Sequence, residues 1–175
     1  MVPSPYPKLC EGIWVAAKKY WKNKPLLKET ALSTVHYKSL ENMYLSAPIN
    51  TIFPPTITVS KGEAKITLDI QPEYFNAANS IHGAVYFKLL DDSAVFAASS
   101  HSEDWVVLTA SFTTNISKPV TSGRVTAVGK IVKIEGRKLY AESVMYDEHE
   151  NEVAKGHGLF LPCKMRFSDL DCYRV

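Results

Sequence analysis

The sequence predicts an α+β fold in which an antiparallel sheet curls around one long central helix. Three observations carry this. Period-two, β-branched segments occupy most of the chain from Thr56 onward. A single apolar run of helical length, residues 82–100, interrupts them. The links between the later strands are short and carry turn residues, which makes neighbouring strands antiparallel. A helix that is apolar nearly all round must be buried on most sides, and a sheet wrapped around it does that. The pattern does not suit a βαβ repeat.

The elements follow in order. Residues 1–50 read as an N-terminal helical extension. Ile13, Ala16, Ala17 and Tyr20 fall at helical spacing, Pro25 breaks the pattern, and a second helix is expected from about Leu27 to Tyr44. Seven Lys against three Glu give this arm a basic outer face, and Pro48, Pro54 and Pro55 mark a linker. TITVS, Lys61-Gly62 and EAKITLDI outline a hairpin. The loop QPEYFNAANS leads through His82-Gly83 into the apolar helix. WVVLTASFTTNI alternates Val106, Leu108, Ala110 and Phe112 on one face with Val107, Thr109, Ser111 and Thr113 on the other, and Lys118-Pro119 ends it. RVTAVGKIVKI, KLYAESVMYD and EVAKGHGLFL complete six strands, with turns at Glu135-Gly136 and Glu148–Asn151. The expected units are the extension (1–50), one sheet-and-helix domain (51–165) and a C-terminal tail (166–175).

Bulk properties exclude several classes. A chain of 175 residues with 46% hydrophobic and 22% charged residues fits one ordinary soluble domain. A net charge of +2 points to neither nucleic acid nor an anionic membrane as partner. The basic residues Lys118, Arg124, Lys130, Lys133, Arg137 and Lys138 cluster in one segment with a single acid, Glu135. They read either as solvated strand edges or as contacts for a phosphate-bearing ligand. Cys10, Cys163 and Cys172 are odd in number and lack metal or disulfide spacing, so no metal site is expected and a reducing cytoplasm is the natural location. No secretory signal or membrane span is legible.

The chemistry concentrates in YFNAANSIHGAVYFKLLDDSAVFAASS, residues 74–100. Asp91 puts a carboxylate inside an apolar helix, which is costly unless it serves a purpose. Gly83 lies at the helix start, where amides lack intrahelical partners and carry the positive end of the dipole. Such a donor suits a developing oxyanion. Asn76 can orient a water or a carbonyl, or simply make a turn. His82 can shape the site, and Thr109 can position a water. Ala84, Tyr86, Phe87, Leu90 and Phe96 can wall a pocket or fill the core. Asp92 is rotated about 100° from Asp91 and is expected to be structural.

Nine residues separate His82 from Asp91. At ~1.5 Å and ~100° per residue this is about 13 Å along the axis, on opposite sides. One chain cannot then aim the Gly83 amide and the Asp91 carboxylate at the same carbonyl. Two antiparallel central helices can, so a homodimer with two shared sites is expected: Asn76 and Gly83 from one subunit, Asp91 and Thr109 from the other.

The order Asn76, His82-Gly83, Asp91, Thr109 and Lys118-Pro119 resembles the hotdog-fold acyl-CoA thioesterases, in particular the branch of phenylacetyl-CoA and 4-hydroxybenzoyl-CoA thioesterases. The likeness covers roughly residues 55–163. It implies hydrolysis of an acyl-CoA to free acid and CoA without metal or redox cofactor. It also implies Asp91 as base or nucleophile, the Gly83 amide as oxyanion donor, and a shared dimeric site, with homotetramer formation left open. The family has a second glycine where this chain has Ala84, which bears on pocket size. Two rivals are a non-catalytic acyl-CoA binder and a hotdog enoyl-CoA hydratase or dehydratase.

Overall fold

The computed structural model describes residues 34–175. The expected helix around Ile13–Tyr20, the residues before Thr34 of the second one, and Cys10 lie outside the described residues. The order of elements is α1 (Thr34–Leu45), β1 (Thr56–Ser60), β2 (Glu63–Asp69), α2 (Gly83–Ser99), β3 (Trp105–Ile116), β4 (Arg124–Glu135), β5 (Lys138–Tyr146) and β6 (Glu152–Arg166). Short 3-10 turns at Pro48–Thr51, Pro72–Tyr74 and Phe167–Asp169 join or follow them. The strands form one antiparallel sheet, β1-β2-β4-β5-β6-β3. β3 leaves α2, pairs with β6 and stands at the open edge.

The turns are where the sequence puts them. Gly62 (φ 72°) and Gly136 (φ 58°) supply the left-handed residues that the two hairpins need. The central helix packs on β2 through β6, and Val85, Leu89, Ala94, Ala97 and Ala98 are buried in its contact with the sheet. It comes close to the sheet at Gly129 on β4, where a Cβ would lie 2.2 Å from the Ser93 carbonyl oxygen. Ser143, the β5 partner of Gly129, hydrogen-bonds Ser93 through their hydroxyls at 2.6 Å. The two sites together fix the depth at which the helix sits.

β3 departs from simple alternation. Register shifts occur between Trp105 and Val107 and again between Thr109 and Ser111, where two β3 steps match one on β6. The first leaves Val106 and Val107 both buried. The second makes Ala110 an extra residue and reverses face parity after it. Thr109 and Phe112 therefore both face α2, and Thr109 does not share a face with Ser111 and Thr113.

The C-terminal residues fold back on α1. Phe167 stacks on Tyr173 at 4.7 Å, and His36 of α1 bonds the Tyr173 hydroxyl and, on its other nitrogen, the Ser99 carbonyl at the end of α2. Burial lowers the pKa of His36, partly offset by that carbonyl.

Candidate active site

The start of α2 is defined by His82. Its backbone is extended (φ −66°, ψ 145°), its N–H donates to the Tyr74 carbonyl, and its Nδ1 accepts from the Ala84 N–H at 3.0 Å. The Val85 N–H donates to the His82 carbonyl. His82 thus caps the helix. It also leaves the Gly83 N–H as the one early amide with no acceptor among the described residues. A Cβ on Gly83 would meet only Ile116 Cδ1, at 3.8 Å. Packing within the chain therefore does not demand glycine there, and the space over the amide is open.

Two turns further along, the Thr109 hydroxyl reaches both Asp91 oxygens, at 3.0 Å and 3.2 Å. The carboxylate is half-buried. Burial pushes its pKa up to about 6, against the lowering effect of the Thr109 hydroxyl and with a further push from Asp92. Such a group is ionised at neutral pH yet basic enough to take a proton.

Asp92 faces elsewhere. It accepts from Lys88 Nζ at 2.6 Å and from the Tyr44 hydroxyl at 2.9 Å, and Lys88 also donates to Asn50 Oδ1 at 2.7 Å. This network ties α1 and the Pro48–Thr51 turn to the central helix, so Asp92 has the structural role expected of it.

Gly83 and Asp91 both face β3: one beside Ile116, the other bonded to Thr109. The Gly83 amide is eight residues from Asp91. Eight steps of ~100° bring it round to within about 80° of the same face, while the axial separation stays about 12 Å. Distance along the helix, and not opposite facing, separates the two groups. Phe87 lies between them, 45% exposed, with its ring edge-on to Phe112. Phe112 covers Gly156 and Gly158 on β6, where a Cβ would strike its ring at 2.5–2.6 Å.

The remaining expected residues are placed as follows. Asn76 makes a turn: its Oδ1 accepts from the Ala78 N–H and its Nδ2 donates to Ser80 Oγ. Tyr86 is 2% exposed. Its hydroxyl donates to the Lys118 carbonyl and accepts from the Val120 N–H, pinning the end of the β3–β4 link. Leu90 is fully buried. In this chain Tyr86 and Leu90 are core and Phe87 and Ala84 are open. Of the basic cluster, Arg124 pairs with Asp69, Lys130 with Glu63 and Lys133 with Glu135, all at exposed positions. Arg137 donates to the Pro162 carbonyl. The sequence did not point to the Lys88–Asn50–Tyr44 network. Its signal is Lys88-to-Asp92 spacing on an apolar helix.

A helix wrapped by a six-stranded antiparallel sheet defines a hotdog layout. Residues 78–154 match the model of the thioesterase superfamily. Over that segment the chain is similar to that superfamily. Solved structures with this fold include the E. coli PaaI protein from the phenylacetic acid degradation operon (17% identity, TM-score 0.68, 76% of this chain and 99% of that one). A thioesterase family protein from Silicibacter pomeroyi (18%, 0.65, 73% and 98%) is also similar, as is a mutant thioesterase from Pseudomonas aeruginosa (12%, 0.66, 75% and 96%). No curated protein matches the sequence. Among the described residues no helix is long and apolar enough to cross a membrane.

Proposed function

We propose that the protein is an acyl-CoA thioesterase whose sites are shared between two copies of the chain. The observation that carries this reading is Asp91. It is a half-buried carboxylate with its pKa raised to about 6, held by the Thr109 hydroxyl on the same β3-facing side of the helix as the Gly83 N–H, which has no acceptor among the described residues. Two such faces related by a two-fold axis bring the Gly83 amide of one chain toward Asp91 of the other.

In the reaction, the thioester carbonyl oxygen points at the Gly83 N–H and the carbonyl carbon faces a water beside Asp91. Asp91 takes a proton as the water oxygen bonds to carbon, and the oxyanion forms against the amide. Collapse breaks the C–S bond, and the sulfur leaves with the proton that Asp91 carries. The products are the free acid and CoA, and the scheme uses only these groups and water. The capping role of His82 holds the amide in place. Asn76 acts by shaping the loop before it. Lys118 and Lys138 are the members of the basic cluster proposed to meet CoA phosphates. The proposed location is a reducing cytoplasm, on the strength of the cysteine pattern.

A thiol-release assay over a panel of acyl-CoAs tests the proposal. Turnover by the wild type that is lost in Asp91→Asn supports it. Binding of acyl-CoA with no turnover by the wild type makes the protein a binder instead.

A further inference from the structure

A cleft of about 630 Å³ opens beside the start of α2, away from the β3 edge. Its walls are the segment after the Pro48–Thr51 turn (Ile52, Phe53, Pro54) and the loop carrying Tyr74 and Phe75. His82, Ala84 and Val85 form the side nearest the helix, with Gln71 and Glu73 at the lip. We infer that this cleft is the subsite for the acyl group, and that it selects an uncharged, apolar acyl group over short or carboxylated ones.

Four observations support the assignment. The first is position. Ala84 and His82 flank Gly83, so an acyl group whose carbonyl meets the Gly83 N–H has the cleft within one residue of its α-carbon. The second is lining. Seven of the lining residues (Ile52, Phe53, Pro54, Tyr74, Phe75, Ala84 and Val85) are apolar or aromatic, and Ile52 is 60% exposed although apolar, at a place the other described residues do not cover.

The third is that the wall is held in place. The Tyr74 hydroxyl donates to the Ile52 carbonyl at 3.0 Å and its ring lies 4.9 Å from that of Phe53. The Asn50 carboxamide donates to the Tyr44 carbonyl and accepts from Lys88 Nζ. The Lys88–Asp92 pair thus secures this wall to the helix that carries Asp91. The fourth is charge. Glu73 is exposed at the lip, and Lys88, the nearest cation on the helix, is already committed to Asp92 and Asn50. An acyl group with a terminal carboxylate would meet the like charge of Glu73, and among the described residues no Lys or Arg lines the cleft.

The consequences are specific. The Ala84 methyl lines the cleft and limits its width at the carbonyl end. Each methylene buried there contributes about fourfold in affinity. Selectivity therefore rises with chain length until the cleft is full.

The inference rests on the thioesterase reading, and its test separates the two. Binding of the non-hydrolysable thioethers S-ethyl-CoA, S-octyl-CoA and S-(4-carboxybutyl)-CoA is measured by calorimetry on the full-length protein, alongside hydrolysis of octanoyl-CoA. S-octyl-CoA is expected to bind at least ~100-fold more tightly than S-ethyl-CoA, and the carboxylated thioether no better than S-ethyl-CoA. In Ile52→Asp, an exposed position, and in Ala84→Leu, which fills the cleft, the octyl-to-ethyl ratio should fall at least tenfold. Affinity that ignores chain length, no thioether binding, or a ratio unmoved in both variants overturns the subsite. Chain-length-dependent binding without octanoyl-CoA hydrolysis leaves the subsite standing and refutes the thioesterase reading.

Discussion

Asp91 and Asp92 are neighbours in sequence with opposite surroundings. Asp92 is neutralised by Lys88, bonded by the Tyr44 hydroxyl and locked into the contact between α1 and α2. Asp91, one step of about 100° around the helix, has among the described residues a single hydroxyl partner and no cation, and a pKa raised to about 6 by burial. The same side chain is a fastener on one face and, in the proposed mechanism, the base on the other. The difference arises from what the fold leaves undone. The Asp92 face is covered by the chain's own N-terminal segment. The Asp91 face looks past Phe87 toward the open edge of β3, where Thr109 lies.

The largest test of this contrast exchanges the two losses. Asp91→Asn should lower thioester turnover by at least ~10³-fold with the fold intact. Asp92→Asn should keep most of the turnover and lower stability by about 1–3 kcal/mol. Parallel kinetics and denaturant melts read both. Equal kinetic losses would end the distinction.

Next comes the amide. Gly83→Pro removes the N–H at the first helical position, which proline favours, after a residue already extended at ψ 145°. Turnover should fall ~10²–10³-fold while the melting temperature hardly moves. Retained activity would remove the Gly83 N–H from the mechanism.

The pH dependence is a smaller effect. Turnover should decline as pH falls through about 6, where Asp91 takes up its proton. The Thr109 hydroxyl holds that pKa down, so Thr109→Val should move the acid limb to higher pH, and Thr109→Ser should leave it near the wild-type position. A limb that does not move with Thr109 would detach this pair from the profile.

The smallest effect is on stability. The Asp91 pKa is higher folded than unfolded, so its ionisation costs the folded state. That cost is fully present above about pH 6 and absent below the ordinary value of 3.8. Asp91→Asn should therefore stabilise the protein at pH 7.5, by at most about 2 kcal/mol given partial exposure, and by nothing near pH 3.5. Stabilisation that grows toward acid pH would contradict it.

Much of this contrast is readable from residues alone. The hairpin turns at Gly62 and Gly136 and the limits of α2 follow from backbone preference and apolar periodicity, which act locally. So does the odd carboxylate at position 91. The β3 bulge at Ala110 is different. Alternation fixes faces only while each residue has one partner, and the pairing with β6 lies over forty residues away. The face of Thr109 is therefore set by tertiary register. Tyr86 and Leu90 look like Phe87 on a helical wheel that is apolar all round. Only the docking at Gly129 and the Tyr86 bonds to the Lys118–Val120 segment show which of them is core. The cleft escapes notice because its wall, Ile52–Pro54, comes from a proline-rich linker with no periodicity to read.

The central claim is that the Asp91 face is half of a site completed by a second chain. It is tested most directly by mixing Asp91→Asn and Gly83→Pro chains, each inactive alone, and co-refolding them at equal concentration. In a mixed dimer one of the two sites keeps both Asp91 and the Gly83 amide. With half of all dimers mixed, roughly a quarter of wild-type turnover should return. Turnover that stays at the level of the separate variants, with mixed dimers demonstrably formed, would contradict the account.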